Sequence, residues 1–193
     1  PWRGEIVRGL LGADLIGFHA YDYVRHFLSS CRRIAGIENA SGTLMADGRL
    51  VQADAFPLGI DYERYRDAAR TPAVRRAAAE FAAEKGHAGC KVMLSVERLD
   101  YSKGIPDRLN AYDAFLDRHP EWAGRVVLVL VTVPSRENVG SYRALKKRID
   151  ELVGLINGKH STMDWTPVDY YYRSLPFDQL AGLYVASDVM LVT

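Results

Sequence analysis

Residues 126–133 read Val-Val-Leu-Val-Leu-Val-Thr-Val, an apolar, β-favouring run bounded by Arg125 and Pro134. A strand with one wet face alternates apolar and polar residues. A run without alternation needs cover on both faces, the situation of a parallel sheet flanked by helices. The second half of the chain supplies the other pieces of such a sheet. Strand-like segments fall at Val92–Val96, on entry to Val168, and at Val189–Thr193. Between them lie helical periodicities: Asp107–Asp117 with Leu109, Ala111, Tyr112 and Phe115 on one face, Ser141–Asn157 with Leu145, Ile149, Leu152, Val153 and Ile156, and Asp178–Tyr184 with Leu180 and Leu183. Alternating strand and helix predicts an α/β fold.

The first half is more varied. Ile6–Leu11 reads as a short helix closed by Gly12, and Asp14–His19 as a buried strand. Tyr21–Ile34 places Tyr23, Val24, Phe27, Leu28, Cys31 and Ile34 at helical spacing and stops at Gly36. Thr43–Phe56 predicts a hairpin turning at Asp47-Gly48. Pro57-Leu58-Gly59-Ile60-Asp61 suits a crossing between two domains, 1–58 and 59–193. Asp67–Lys85, rich in Ala, Arg and Glu, reads as one surface helix packed by Val74, Ala77, Phe81 and Ala82.

Composition removes several function classes. A net charge of +1 lacks the concentrated basic excess of a nucleic-acid or anionic-membrane binder. The tract Tyr170-Tyr171-Tyr172, with the single Arg173 beside it and no surrounding basic cluster, reads as strand and cleft packing rather than a base-stacking platform. Cys31 and Cys90 have neither CxxC nor metal-ligand spacing, which predicts reduced thiols in a cytoplasmic protein. No apolar run approaches the ~20 residues of a membrane span. The chain opens at Pro1 without a methionine and closes inside an apolar run, so it reads as an internal piece of a longer protein.

The chemistry concentrates where the strand ending Lys91-Val92-Met93-Leu94 gives way to Ser95-Val96-Glu97-Arg98-Leu99-Asp100-Tyr101-Ser102-Lys103-Gly104. A loop from a parallel strand into a helix is a default ligand site. Arg98 and Lys103 offer a planar fork and a mobile point charge, a pair suited to a diphosphate, and Gly104 permits close backbone approach. Spacing alone leaves a second reading open, in which both are surface charges paired with Glu97, Asp100 or Asp107. Arg136, in Pro134-Ser135-Arg136, stands at the next strand-to-helix loop on the same rim, either as a surface or capping residue beside Glu137 or as a ligand. His19 could line a cleft or be a buried, hydrogen-bonded residue, and it is assigned no chemistry. Asp188 reads as a structural residue at the start of the last strand.

The string Ser-Val-Glu-Arg-Leu-Asp-Tyr-Ser-Lys-Gly resembles the donor-site signature of the trehalose-6-phosphate synthases, and Gly17-Phe18-His19-Ala20-Tyr21-Asp22-Tyr23 resembles the late acceptor-side domain of that family. The resemblance implies the GT-B fold, two facing Rossmann-like domains with parallel sheets, both incomplete here. It implies a retaining glucosyltransferase that moves glucose from UDP-glucose to glucose 6-phosphate by a front-face mechanism. On that resemblance Arg98 and Lys103 hold the diphosphate, Arg136 reaches the acceptor's phosphate, and Leu175, just before a helix, holds the nucleotide base through its backbone. It implies no cofactor and no metal. The family pattern also includes an upstream glycine-containing loop with acceptor-side acid and histidine positions, and a downstream Asp-Gly-Met-Asn stretch. Their absence from the chain predicts a piece inactive by itself. A related nucleotide-sugar transferase or phosphorylase and a non-catalytic sugar-phosphate sensor stay open, as do homo-oligomerisation and fusion to a phosphatase domain.

Overall fold

The computed structural model describes residues 2–83 and 89–192. The chain divides into two compact units, Pro1–Asp61 and Tyr62–Thr193.

The first unit runs α1 (Arg3–Leu10), β1 (Leu15–Phe18), α2 (Tyr21–Ser30), β2 (Asn39–Ala40), β3 (Thr43–Ala46) and β4 (Arg49–Ala55). Its sheet has the order β1-β4-β3-β2. Only β1 and β4 pair in parallel; β3 is antiparallel to both β2 and β4. The sheet is therefore mixed, because a two-residue turn can join only antiparallel strands. That turn is Asp47-Gly48, with φ of 47° and 74°. Left-handed backbone at both central positions matches the twist of the flanking strands. The core is built from Leu44, Ala46, Val51 and Ala53 of the hairpin against Val24, Phe27 and Cys31.

Three expectations change in this unit. The first helix begins at Arg3, and its C-cap Leu11 stays right-handed, so Gly12 is not a left-handed cap. β1 is an edge strand and Leu15 is 56% exposed, so it is not a buried strand. The helix from Tyr21 gives way at Cys31–Ala35 to a π-helical turn, closed by Gly36 as expected, while Tyr23 and Ile34 face outward.

The second unit continues with α3 (Tyr62–Ala68), α4 (Pro72–Ala82), β5 (Lys91–Arg98), α5 (Ile105–Arg118), β6 (Val126–Val133), α6 (Gly140–His160), β7 (Val168–Tyr171), α7 (Phe177–Ala186) and β8 (Val189–Met190). The single helix expected over Asp67–Lys85 is instead two. Thr71 caps the second, its Oγ1 accepting from the Val74 N–H at 3.3 Å, and Pro72 takes the first turn, where a missing N–H is harmless. Val74, Ala78 and Phe81 are buried; Ala82 is exposed. The expected ends at Lys85 and Thr193 lie outside the described residues.

The sheet order is β7-β6-β5-β8, all parallel. β6 explains its own composition. Val126, Leu128 and Leu130 pack into the core shared with α5 and α6, whereas Val127, Val129 and Val131 enter the one shared with Phe81 of α4 and Leu183 of α7. Both faces are covered, so neither set of alternating positions is polar. On α5 the buried stripe is Ile105, Arg108, Leu109, Tyr112 and Leu116; Ala111, expected inward, is exposed. Asp188 is structural, as expected: one carboxylate oxygen accepts from the Val92 N–H at 2.9 Å and the other from Lys91 Nζ at 2.7 Å, tying β8 to the start of β5.

The α4–α7 contact depends on Gly182. A Cβ there would stand 2.8 Å from the Ala77 Cβ and 3.1 Å from the Ala78 backbone nitrogen. Gly182→Val is expected to force the helices apart and cost about 1–3 kcal/mol, read as a lower urea midpoint at unchanged slope. An unchanged midpoint would mean the two helices separate freely.

Candidate functional site

The chain leaves β5 for β6 and β7 on one side, then returns to place β8 on the other. The carboxyl end of β5 is thus a topological switch point, where neighbouring loops leave in opposite directions and open a crevice. Arg98 is the last residue of β5, in register with Val133, the last of β6. The loops after both strands therefore share one rim.

After Leu99, whose N–H bonds the Val133 carbonyl at 2.8 Å, the donor loop folds into a single 3₁₀ turn, Tyr101–Lys103. Asp100 caps it: Oδ1 accepts from the Ser102 N–H at 3.0 Å and the Ser102 hydroxyl at 2.8 Å. Those bonds, with smaller help from Tyr142 and Arg136, hold the Asp100 carboxyl below its ordinary range. Gly104, at φ 57°, reverses the chain into α5.

The two readings of the loop's cations can now be separated. The Arg98 side chain is exposed and has no ion-pair or hydrogen-bond partner among the described residues. Lys103 does pair: its Nζ lies 3.8 Å from a Glu97 oxygen. Behind it sits a group that the sequence reading missed. Arg108 of α5, with 5% of its side chain exposed, hydrogen-bonds the Ser95 hydroxyl, reaches the Lys103 carbonyl at 3.5 Å and lies 3.5 Å from Glu97. A buried guanidinium thus fixes both ends of the donor loop. Its signal was available, because Arg108 falls three residues after Ile105 and four before Tyr112, inside the apolar stripe.

Arg136 lies in the adjoining loop with φ 49°, and its Nη1 donates to the Tyr142 hydroxyl at 2.9 Å. Tyr142 was also missed, being one helical step before the Leu145 that was taken to start the buried stripe. Leu175 stands on the loop after β7, two strands from Arg98, partly buried beside a cavity of about 200 Å³ that Tyr171, Arg173 and Gln179 also line. An apolar cavity of about 570 Å³ opens between α5 and the residues after β8, lined by Met93, Tyr112, Phe115 and Leu191 among others. Of the tyrosine tract, Tyr170 and Tyr171 pack against the two cores, and Tyr172 lies under Lys146 and bonds Glu137. His19 is exposed, and its Nδ1 accepts from the Leu58 N–H at 3.0 Å. Neither cysteine forms a disulfide, and the Cys90 thiol donates to the Gly124 carbonyl at 3.4 Å.

Among the described residues one group has metal-ligand spacing: Asp113, Asp117 and His160. Lys159 Nζ already occupies it, 3.1 Å from Asp113 and 2.5 Å from Asp117. It lies on the last turns of α5 and α6, at the end of each helix remote from the cationic rim. No helix among the described residues is long and apolar enough to cross a membrane.

A parallel sheet with cations on the loops of its switch-point rim, and the likeness to solved structures given below, define the chain's class, an α/β domain of the GT-B glycosyltransferase kind. More particularly, the chain belongs to glycosyltransferase family 20, whose model matches residues 1–193. It is 48% identical over its whole length to an Aspergillus fumigatus alpha,alpha-trehalose-phosphate synthase [UDP-forming] 2, and 44% identical to the Saccharomyces cerevisiae 56 kDa subunit. It spans about 40% of the length of the first and 39% of the second. An Escherichia coli structure described as bound with UDP-2-fluoro glucose superposes with a TM-score of 0.88 at 28% identity, covering all of this chain and 42% of its own. The N-terminal domain of Candida albicans trehalose-6-phosphate phosphatase is similar too, with a TM-score of 0.87 at 29% identity over all of this chain and 41% of its own.

Proposed function

We propose that the chain is part of a cytoplasmic trehalose-phosphate synthase that transfers glucose from UDP-glucose to glucose 6-phosphate, releasing UDP and forming trehalose 6-phosphate. Residues 59–193 are its nucleotide-sugar-binding portion and residues 1–58 the end of its acceptor-side domain. The observation that carries this reading is Arg98, a cation without a side-chain partner among the described residues, at the switch point of a parallel sheet. In the transfer, the bond between the glucose anomeric carbon and the diphosphate breaks while the acceptor hydroxyl joins that carbon on the same face. Negative charge grows on the departing diphosphate. Arg98 and Lys103 meet that charge with donors already in place, so little reorganisation is needed as it develops. The reading assigns this work to the two side chains rather than to a metal ion. Arg136 takes the phosphate of the acceptor, and the backbone at Leu175 takes the base. The names of the Aspergillus and Saccharomyces relatives give UDP and trehalose phosphate as products, which supports a UDP-sugar donor and a sugar-phosphate acceptor.

Calorimetric titration of the folded chain with UDP and UDP-glucose tests the donor site. Saturable binding of both is the expected result; a folded chain that binds neither does not form the site. A second reading is a homologue that binds sugar phosphates without turnover; the same fold occurs in the N-terminal domain of a Candida albicans protein named as a phosphatase and not as a synthase. It predicts the same binding but no UDP release when the complete protein receives both substrates.

A further inference from the structure

Two loops of the rim are joined by a line of contacts that the transfer reaction, as described, leaves unused. Arg136 adopts a left-handed backbone at φ 49°, a conformation uncommon outside glycine and retained only where surroundings hold it. Its carbonyl accepts from the Val139 N–H at 2.9 Å, and its side chain is held by Tyr142, in the first turn of α6 and 4% exposed. Arg136 Nη1 donates to the phenol oxygen at 2.9 Å, and the guanidinium carbon lies 5.5 Å from the ring centroid. The phenol then donates to Asp100 Oδ2 at 3.2 Å, while the Tyr142 ring meets Tyr101 edge-on at 6.1 Å. The polarity is forced. A guanidinium can only donate and a carboxylate only accept, so the single phenolic proton must go to Asp100. Asp100 in turn caps the turn that carries Lys103.

We propose that Tyr142 is a positioning residue that couples the two phosphate-binding loops, holding Arg136 ready for the acceptor's phosphate monoester and fixing the donor loop through Asp100. The inference rests on the reading of Arg136 as the ligand of that phosphate. It makes the two anions helpers of one another: a diphosphate that orders the donor loop steadies Asp100, Tyr142 and therefore Arg136, and by linkage the reverse holds equally.

Tyr142→Phe tests this without disturbing the packing, since the ring stays and only the hydroxyl goes. The 193-residue chain, Tyr142→Phe and Arg136→Gln are titrated with glucose 6-phosphate, with and without saturating UDP. Arg136→Gln should weaken glucose 6-phosphate at least tenfold. Tyr142→Phe should weaken it about fivefold, less than the tenfold or more of a direct hydrogen bond to a charged group because the phenol touches Arg136 and not the phosphate, and should abolish the tightening by UDP. Unchanged affinity and unchanged linkage in Tyr142→Phe overturn the proposal. If Arg136→Gln binds like the parent chain, the reading of Arg136 fails and takes the inference with it; if the parent chain binds UDP but no glucose 6-phosphate, the decision passes to the measurement without ligand, because the acceptor-side positions that the resemblance implies are not among its residues. A measurement without ligand separates the two cases. Phenylglyoxal should modify Arg136 faster in Tyr142→Phe than in the parent, and equal rates remove the positioning role whatever Arg136 binds.

Discussion

Replacing Arg98 and Lys103 together by alanine is expected to weaken UDP binding a hundredfold or more while leaving the fold intact. The first half of that expectation follows from charge. Each cation offers the diphosphate a charge-assisted hydrogen bond worth about 1.5–3 kcal/mol, and two such bonds exceed the roughly 2.8 kcal/mol that separates affinities a hundredfold apart. The second half follows from what each side chain does in the empty chain. Arg98 has no side-chain partner among the described residues, so its removal strands none of them. Lys103 leaves Glu97 behind, but Arg108 remains 3.5 Å from that carboxylate. The single variants should therefore differ, with Arg98→Ala nearly silent in urea melts and Lys103→Ala slightly destabilising. Circular dichroism would establish that the double variant is folded, and calorimetry would give its affinity. A folded double variant that binds UDP like the parent chain would remove both residues from the donor site.

How far the sequence foretold this site depends on which contacts are local. β6 was legible because burial on both faces leaves a mark at every position from Val126 to Val131. The Asp47-Gly48 hairpin was legible because its geometry is decided within four residues. The break at Thr71-Pro72 was equally local, a capping residue followed by proline, yet the Ala-rich segments on either side read as one continuous helix. Other features were not local. The exposure of Leu15 follows from its lying on the uncovered face of the sheet, where Met45 and Leu50 are exposed too while Ile16 and Phe18 pack on the core, and which face is covered is a property of the assembled unit. Arg98, Lys103 and Arg136 could be named from their loops, but the phenol that joins Asp100 to Arg136 lies 42 residues after Asp100, and no short window contains all three. Arg108 was hidden differently. An arginine on a helix is ordinarily solvated, and only the approach of Ser95, Glu97 and the Lys103 carbonyl makes its burial tolerable.

That burial sets up the largest stability effect. Arg108→Met should destabilise the chain by about 3–5 kcal/mol, because it fills the volume with apolar atoms while leaving Glu97, only 10% exposed, without its buried cation. Lys103 at 3.8 Å is a partial replacement, being 35% exposed and screened by water. Glu97→Gln removes the opposite charge and should cost less, since the amide oxygen can still accept from Arg108 and the remaining guanidinium keeps the Ser95 hydroxyl and the Lys103 carbonyl. The double variant decides between packing and charge. If charge dominates, Arg108→Met with Glu97→Gln is more stable than Arg108→Met alone, since no buried carboxylate is left unmatched, and the coupling energy in the cycle is about 1–3 kcal/mol. If packing dominates, the two losses simply add. UDP affinity supplies the functional half of the argument. Arg108→Met frees the Lys103 carbonyl and so loosens the turn that presents the lysine, and this loss should persist in the double variant even where stability recovers. Stability and affinity would then separate, with Glu97 and Arg108 balancing each other's charge in the fold while Arg108 alone sets the shape of the donor loop.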